Sequence, residues 1–299
     1  MEKRFESLSL FEFQDKFPDE EACLGYLCEL KWASGYTCPH CGNTKYCQGG
    51  KPYSRQCTRC NHIGSPTSGT LFHMVKFPLL KAFYIVYYVS TSKKGISSTE
   101  LSRKLQLRQK TCWLFKQKVM AAMKSSGKSA MKGKVEVDET VVGGQEEGVV
   151  GRKNINKKLV VFAIERKGKG IQRLYGKVIG SSSAKELGCF MKGTIDAGAE
   201  VKTDKWSGYK PLKADFPYLI QIPSGKKGEG FPDLHRAIMG FKGWLRGMHH
   251  QVEHLQAYVD EYTYRFNRNF MKTGLFENLM ERMMERPPLP YKMIYNISA

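Results

Sequence analysis

The chain has 299 residues, enough for two or three domains with hydrophobic cores of ordinary size. Its 48 lysines and arginines outnumber 28 acidic residues, and the resulting formal charge of +20 is typical of proteins that bind polyanions. The sequence contains no run of 18 apolar residues and no apolar secretory signal, so it predicts a soluble, cytoplasmic protein rather than a membrane-spanning or secreted one.

Residues 1–66 are predicted to form a helical lead-in followed by a small ribbon. Pro18, Asp19 and Glu20 mark the start of a helix, because proline and acidic residues favour the first helical turn. Residues 36–64 are rich in glycine, cysteine and polar turn formers and show little helical period. They are therefore predicted to form loops and short strands.

The ribbon segment contains two CxxC pairs separated by 15 residues: Cys38, Cys41, Cys57 and Cys60. This spacing lets two turns converge on one Zn²⁺, and a site made of four thiolates leaves no open position for catalysis. The sequence therefore predicts a structural zinc site, with four unrelated thiols as the alternative. Three neighbouring residues are predicted to stand outside it: His40, Cys47 and His62.

Residues 67–128 are predicted to form a helix-turn-helix DNA-binding domain. An apolar, aromatic helix spans residues 71–89, and two further helical patterns follow, joined by the connector QLRQ. Lys116 and Lys118 are predicted to be among the cations that neutralise DNA phosphates, and a solvated cationic face on a small helical core is the alternative. The residues predicted to contact DNA phosphates or base edges are Arg103, Lys104, Arg108, Gln109, Lys110 and Thr111.

Residues 129–299 are predicted to form an α/β catalytic domain after a polar linker. The coarse pattern is strand, strand, strand, helix, strand, and two helices close the chain. Residues 151–180 carry nine lysines or arginines against one acidic residue, a charge that would hold DNA along a neighbouring cleft.

The first of these strands places carboxylates on one face. Val135 and Val137 alternate with Glu136 and Asp138, a period of two that predicts one buried and one polar face. Asp204 follows 66 residues after Asp138, near the end of another short strand. Carboxylates at the ends of adjacent strands suit Mg²⁺, a hard ion that catalyses phosphoryl transfer; a solvated edge strand is the alternative.

Several motifs, taken together and in this order, resemble those of bacterial insertion-sequence transposases that have an N-terminal zinc ribbon and an RNase H-like DDE catalytic domain. The motifs are CPHCG, CTRC, SGTLFH, VEVDETVVGG, TDKWSGY, HRAIMGFKGWLRGMHH and HLQAYVDEYTYRFNRN. The resemblance implies an RNase H-like mixed sheet flanked by helices, with Asp138 and Asp204 as the first two members of a catalytic triad. The third member varies in this family and is followed seven positions later by lysine, a spacing that His235 and Lys242 match.

A histidine in the third position departs from the more familiar carboxylate pattern. A neutral imidazole adds no negative charge, so the site is expected to hold Mg²⁺ more weakly and to favour Mn²⁺. Glu253 and Glu261 are the alternative third ligands, although an ion pair between Glu261 and Arg265 is favoured by their i,i+4 spacing. Glu136 and Glu139 are expected to support the site without binding the metal.

The resemblance implies a transposase that binds terminal repeats of an insertion sequence and catalyses metal-dependent DNA cleavage and strand transfer. Its partners would be double-stranded DNA and at least one further copy of the chain in a synaptic complex, with a nucleoid-associated location. Two rival interpretations remain: a DNA-binding regulator derived from a transposase, and a nuclease or resolvase that cuts without joining.

Overall fold

The computed structural model describes residues 8–143, 157–168, 170–225, 229–247, 254–269, 271 and 274–296. The described residues form two compact units. Unit 1 draws on Met1–Ala122 and Phe270–Ala299, and unit 2 on Met123–Asn269. No helix in the described ranges has the length and apolar character needed to cross a membrane.

Unit 1 contains five helices in the described part of its N-terminal segment, and the starts of three of them are capped by a local side chain. They are α1 (Leu10–Lys16), α2 (Glu20–Lys31), α3 (Leu79–Thr91), α4 (Ser98–Leu105) and α5 (Gln109–Met123). The side chains of Ser9, Asp19 and Ser97 each accept a hydrogen bond from the backbone N–H three residues on, which satisfies a donor that the first helical turn leaves open.

Three short strands lie between α2 and α3, where the sequence predicts a ribbon. They are β1 (Tyr46–Gln48), β2 (Arg55–Cys57) and β3 (Ile63–Gly64), and they form an antiparallel sheet in the order β1-β2-β3. The predicted loops and short strands are confirmed. So small a sheet buries little apolar surface and needs another source of stability.

The helix-turn-helix consists of α4 and α5. Between them Gln106 has φ of 51°, a left-handed conformation that reverses the chain. The Ser102 hydroxyl donates to the carbonyl of Leu107 over 2.6 Å and fixes the turn. The predicted pair of helices with a short connector is confirmed.

Unit 2 is built on a five-stranded mixed sheet. Its elements are β4 (Lys134–Val142), β5 (Lys158–Lys167), β6 (Gly170–Ile179), α6 (Ala184–Thr194), β7 (Glu200–Thr203), a 3₁₀ helix (Ser207–Ala214), β8 (Ile220–Gln221), α7 (Pro232–Arg246) and α8 (Leu255–Asn267). The strand order is β6-β5-β4-β7-β8, with β4, β5 and β6 antiparallel and β7 and β8 parallel to β4. This is the RNase H-like arrangement, so the predicted fold class is confirmed.

The two faces of β4 meet different helices, as its period-two pattern predicts. Val135 and Val137 are buried in a core that includes Leu187 and Phe190 of α6. Phe162 of β5 lies opposite Asp138 and therefore shares its face, where the Phe162 ring is 5.2 Å from that of Phe241 in α7. Glu136 and Asp138 of β4 consequently face α7.

The chain returns to unit 1 after α8, with α9 (Leu275–Glu285) and α10 (Tyr291–Asn296). The ring of Phe276 in α9 lies 5.7 Å from both Phe13 and Phe17, because α9 buries an apolar stripe in the aromatic core of that unit. This grouping differs from the predicted domain of residues 129–299. The functional boundaries at residues 66 and 128 stay predictions.

Candidate active site and zinc centre

The two CxxC pairs adopt the same turn. The backbone N–H of Gly42 donates to the carbonyl of Cys38 over 2.9 Å, and the N–H of Asn61 donates to Cys57 over 3.0 Å. Gly42 and Asn61 both have positive φ, 71° and 58°. Each turn therefore directs its two thiols toward the other pair.

The four cysteine sulfurs converge on one point. The Sγ atoms of Cys38 and Cys60 are 3.6 Å apart, as are those of Cys41 and Cys57, and all four lie within 4.8 Å of one another. A tetrahedron with Zn–S bonds of about 2.3 Å has edges of roughly 3.8 Å, so the thiols fit a zinc ion.

The pKa values of two of the thiols also bear on metal binding, because zinc binds the thiolate form of cysteine. Burial acts to raise the pKa of Cys57, but hydrogen bonds from the Asn43 amide and from backbone N–H groups lower it to about 6. Cys60 shows the opposite shift: although the His62 N–H favours its thiolate, burial and the three neighbouring cysteines raise its pKa to about 12. A bound cation would favour the thiolate form of Cys60, which burial and the neighbouring cysteines oppose.

The three neighbours predicted to stand outside the site do so. The rings of His40 and His62 stack on each other with centroids 6.1 Å apart, and the exposed Cys47 on β1 points its thiol to the carbonyl of Gln56. Within the described ranges, the only group of three or more potential ligand residues whose ligand atoms all lie within 4.8 Å of one another is the four-cysteine cluster.

The residues predicted to contact DNA lie at the end of α4 and the start of α5. Arg103, Lys104, Arg108, Gln109 and Lys110 are exposed. Thr111 is half-buried. The cations at positions 103 and 104 pair with Glu100 at 3.8 and 3.3 Å, exposed contacts that are weak enough to exchange for phosphate.

Two predicted cationic residues differ from the rest. Lys116 is buried, with 1% of its surface exposed, and its Nζ donates to the carbonyl of Ile96 over 2.8 Å. The prediction that Lys116 is one of the cations available to DNA phosphates is wrong, because α5 turns that residue into the helical core. Lys118 is half-buried, and burial lowers the pKa of its ammonium.

The sheet brings Asp138 and Asp204 next to each other. In the parallel pairing of β4 with β7, Val137 lies beside Thr203, the last residue of β7. Asp138, in the middle of β4, and Asp204, the first residue after β7, directly follow this pair. Val137 faces the α6 core, so alternation directs Asp138 to the opposite face, which α7 covers. Both aspartates are half-buried.

Local hydrogen bonds hold the turn that carries Asp204. Its Oδ1 accepts from the backbone N–H of Trp206 over 3.0 Å. The Gln221 amide of β8 donates to the carbonyls of Asp204 and Trp206 over 3.1 and 2.9 Å. The Asp138 Oδ1 likewise accepts from the N–H of Glu139 over 2.8 Å.

The buried Tyr209 lies near several carboxylates at this end of the sheet, and they affect its pKa. The Tyr209 hydroxyl donates to Oε2 of Glu139 over 2.7 Å. Burial raises the pKa of the Tyr209 phenol well above its usual range, and nearby carboxylates add to the shift. Those carboxylates are Glu139, Asp138 and Asp204. Their combined potential would attract a cation.

Helix α7 places the other two predicted residues over this face. His235 is half-buried in its first turns, and Lys242 lies seven residues later. Burial lowers the pKa of the Lys242 ammonium and Arg246 lowers it further, while the Asp138 carboxylate opposes the change. Lys242 and Asp138 are therefore within electrostatic reach of each other.

The donor chemistry of the two aspartates fits a hard divalent cation such as Mg²⁺ or Mn²⁺. The ligand atoms of Asp138, Asp204 and His235 do not all lie within 4.8 Å of one another. The role of His235 as a third ligand stays a prediction.

The two alternative third ligands of the metal, Glu261 and Glu253, differ in what the structure shows of them. Glu261 is fully buried, and the Arg265 guanidinium donates to its Oε1 over 3.0 and 2.8 Å, which confirms the predicted i,i+4 ion pair. Glu253 lies outside the described residues, as do positions 151–156 and 169 of the predicted basic stretch.

Sequence reasoning assigned no role to Tyr209, Gln221 or Gly208. A β-carbon on Gly208 would lie 2.5 Å from the carbonyl oxygen of Ser182, which accepts a 2.7 Å hydrogen bond from the Trp206 indole. The position of Gly208 within TDKWSGY is the signal that could have drawn attention to it.

Gly208→Ala is expected to lower the affinity for Mn²⁺ by about 10–100-fold, the loss typical when groups that orient metal ligands are disturbed. The added methyl group would separate Trp206 from Ser182 and displace the turn that holds Asp204. Titration with Mn²⁺ followed by electron paramagnetic resonance measures this. Gly193→Ala is the control, because nothing lies within 4 Å of its β-carbon position. Wild-type affinity in Gly208→Ala would contradict the expectation.

Two family matches cover the ribbon and the sheet. Residues 18–63 match the transposase zinc-ribbon domain of the IS1595 group. Residues 130–267 match the ISXO2-like transposase domain, the DDE domain of the same group. The two matches occur in the order that the sequence motifs predict.

Other comparisons are less informative. No curated protein matches the chain by sequence. One similar solved structure is a pre-cleavage Mos1 transpososome, with 11% identity over 73% of this chain and 79% of that chain. Its TM-score of 0.28 is too low to support an inference about fold or function.

Proposed function

Because the chain belongs to the insertion-sequence transposases that join a transposase zinc-ribbon domain to an ISXO2-like DDE domain, we propose that it binds the terminal repeats of its element and catalyses DNA cleavage and strand transfer. The observation that carries the proposal is the placement of two aspartates: Asp138 within β4 and Asp204 directly after β7 each follow a member of the Val137–Thr203 pair of these adjacent parallel strands.

DNA binding is assigned to unit 1. The exposed cations of α4 and the turn before α5 can neutralise phosphates, and the first residues of α5 can reach base edges. Gln109 donates to the Ser98 hydroxyl over 2.7 Å, which orients its amide at the start of that helix. The net charge of +20 supports a polyanionic partner and a nucleoid-associated location.

In the catalytic unit, Asp138 and Asp204 would hold the divalent cation. When bound, that cation neutralises charge on the reacting phosphate and activates the attacking oxygen. Lys242, half-buried beside Asp138, would contact a phosphate next to the scissile bond. His235 would orient the nucleophile or accept a proton from it. The Trp206 and Gln221 contacts keep the Asp204 turn in place.

The proposed reaction needs no covalent link to the protein. Water attacks a phosphorus atom at the end of the element, and the bond to the 3′ oxygen breaks to leave a 3′-hydroxyl. That hydroxyl then attacks a target phosphodiester, forming one phosphodiester as another breaks. Joining two element ends in one event would require a homodimer or larger assembly, as in synaptic complexes of transposases.

The test uses labelled duplexes that carry candidate terminal repeats, taken from the DNA that flanks the gene. The protein is dialysed into buffer that contains neither divalent ions nor chelator, so that it keeps the zinc bound by its thiolates. Adding Mg²⁺ or Mn²⁺ then shows whether cleavage requires a second metal. We expect DNA binding with or without added metal, and nicked and joined products only with Mg²⁺ or Mn²⁺.

The rival functions give different products. Specific binding with no cleavage under any metal would identify a DNA-binding regulator without catalysis. Cleavage without joined product would identify a nuclease. Either outcome would overturn the proposed strand-transfer activity.

A further inference from the structure

An arginine at the end of β5 joins the central strand to the helix above it. The Nη1 of Arg166 donates to Oε1 of Glu136 in β4 over 2.9 Å, and its Nη2 contacts Oδ2 of Asp233 in α7 over 2.9 Å. We call these three residues the Arg166 bridge. One guanidinium thus contacts carboxylates of two different elements.

The bridge is largely removed from solvent. The side chain of Glu136 is 3% exposed, that of Asp233 12% and that of Arg166 30%. The second carboxylate oxygen of Glu136 is buried and has no hydrogen-bond partner within the described residues. The guanidinium is therefore the described group that compensates the buried charge of Glu136.

Each carboxylate of the bridge lies two residues before a candidate catalytic residue. Glu136 precedes Asp138 by two residues on the same face of β4. Asp233 precedes His235 by two residues in the first turns of α7, so the two side chains project about 200° apart around that helix. The bridge therefore fixes the separation between the strand and the helix at the level of the candidate catalytic residues.

We propose that Arg166 is a positioning residue that holds the start of α7 against β4 and so sets His235 and Lys242 relative to Asp138. The inference rests on the proposed catalytic function. Buried ion pairs seldom add net stability over apolar packing, which favours a geometric role for this one. Arginine suits that role because its planar guanidinium donates to two acceptors at fixed angles. A lysine ammonium has no such fixed geometry.

The structure supplies a matched control. Arg236, which is 76% exposed, also pairs with Asp233. It shares the acceptor of the bridge but contacts it from the solvent side. Its removal leaves the contacts of Arg166 with Glu136 and Asp233 in place.

The experiment compares Arg166→Lys and Asp233→Asn with Arg236→Gln in the full chain. For the first two we expect single-turnover DNA cleavage to fall about 10–100-fold, because displacements of about 1 Å cost roughly 100-fold, while the Kd for DNA stays unchanged. Amides at the start of α7, including the His235 N–H that donates to Phe231, should exchange faster with solvent. Arg236→Gln should change neither quantity.

Wild-type cleavage in Arg166→Lys, or an equal loss in Arg236→Gln, would overturn the positioning role. Asp233→Asn decides the question if Arg166→Lys does not fold. If wild-type protein cleaves no DNA, the proposed function fails separately. Hydrogen exchange then tests the bridge alone, and unchanged protection at the start of α7 would overturn it.

Discussion

Asp138→Asn and Asp204→Asn are each expected to abolish strand cleavage and transfer, with losses well beyond the roughly 10–100-fold that follows when only the partners of metal ligands are changed. Asparagine keeps the size of the side chain and removes its charge. Asp138 in β4 and Asp204 after β7 directly follow the paired residues Val137 and Thr203, so losing either charge weakens the same cation site. Single-turnover cleavage of terminal-repeat duplexes measures the effect.

Binding to DNA provides the control for these variants. The cations assigned to DNA binding lie in α4 and α5 of unit 1, and both aspartates lie in unit 2. We therefore expect Asp138→Asn to bind the terminal repeats with wild-type affinity. Cleavage at the wild-type rate by either asparagine variant would remove that residue from the active site.

His235→Ala tests whether His235 is the third residue of the metal site, after Asp138 and Asp204. A neutral imidazole contributes no charge, so its removal is expected to cost less than either aspartate, about 10–100-fold. A wild-type cleavage rate in His235→Ala would show that another residue is the third metal ligand. Glu261 is poorly suited to it, because the Arg265 guanidinium donates two hydrogen bonds to Oε1 of its buried carboxylate. Glu253 would then be the residue to replace next.

Cys57→Ser is expected to prevent zinc binding and to unfold residues 36–64. The sheet there has strands of two or three residues and buries little apolar surface, so the metal must supply most of its stability. Structural zinc contributes an apparent free energy of about 10–16 kcal/mol in zinc-finger peptides. Metal analysis should find one zinc per wild-type chain and none in the variant.

Cys47→Ser is the matched control for the zinc prediction. Cys47 lies in β1, within the same small sheet, but is exposed and outside the four-sulfur cluster. We expect this variant to keep its zinc and its ribbon signals in nuclear magnetic resonance spectra. A ribbon that stays folded in zinc-free Cys57→Ser would show that the metal is not what stabilises it.

Local features of the chain could be predicted because they depend on neighbouring residues. The CxxC turns need only four or five consecutive residues, and both are formed as the cysteine spacing indicates. The alternation in β4 follows from the pleat of a strand, and Ser97 and Asp19 begin helices by contacts three residues away. The i,i+4 pair of Glu261 and Arg265 has the same local origin.

Contacts between distant segments could not be derived from those patterns. Lysine side chains are usually exposed at protein surfaces, yet the packing of α5 buries Lys116 against the carbonyl of Ile96. The amphipathic pattern of α9 does not specify which core it joins, and Phe276 packs with Phe13 and Phe17 in unit 1. Several apolar surfaces could accept such a helix, and only the complete fold selects one.

The sequence by itself predicted the four-cysteine cluster and the two helices of the helix-turn-helix, because local spacing is sufficient for these features. Its motifs also singled out Asp138 and Asp204, whose catalytic role stays a prediction. Tertiary structure decided that Asp138 and Asp204 are neighbours, since strand pairing joins residues that are 66 positions apart. It also decided that Arg166 links Glu136 to Asp233. No sequence period encodes such a contact, because it forms only when a strand pairing and a helix packing are both in place.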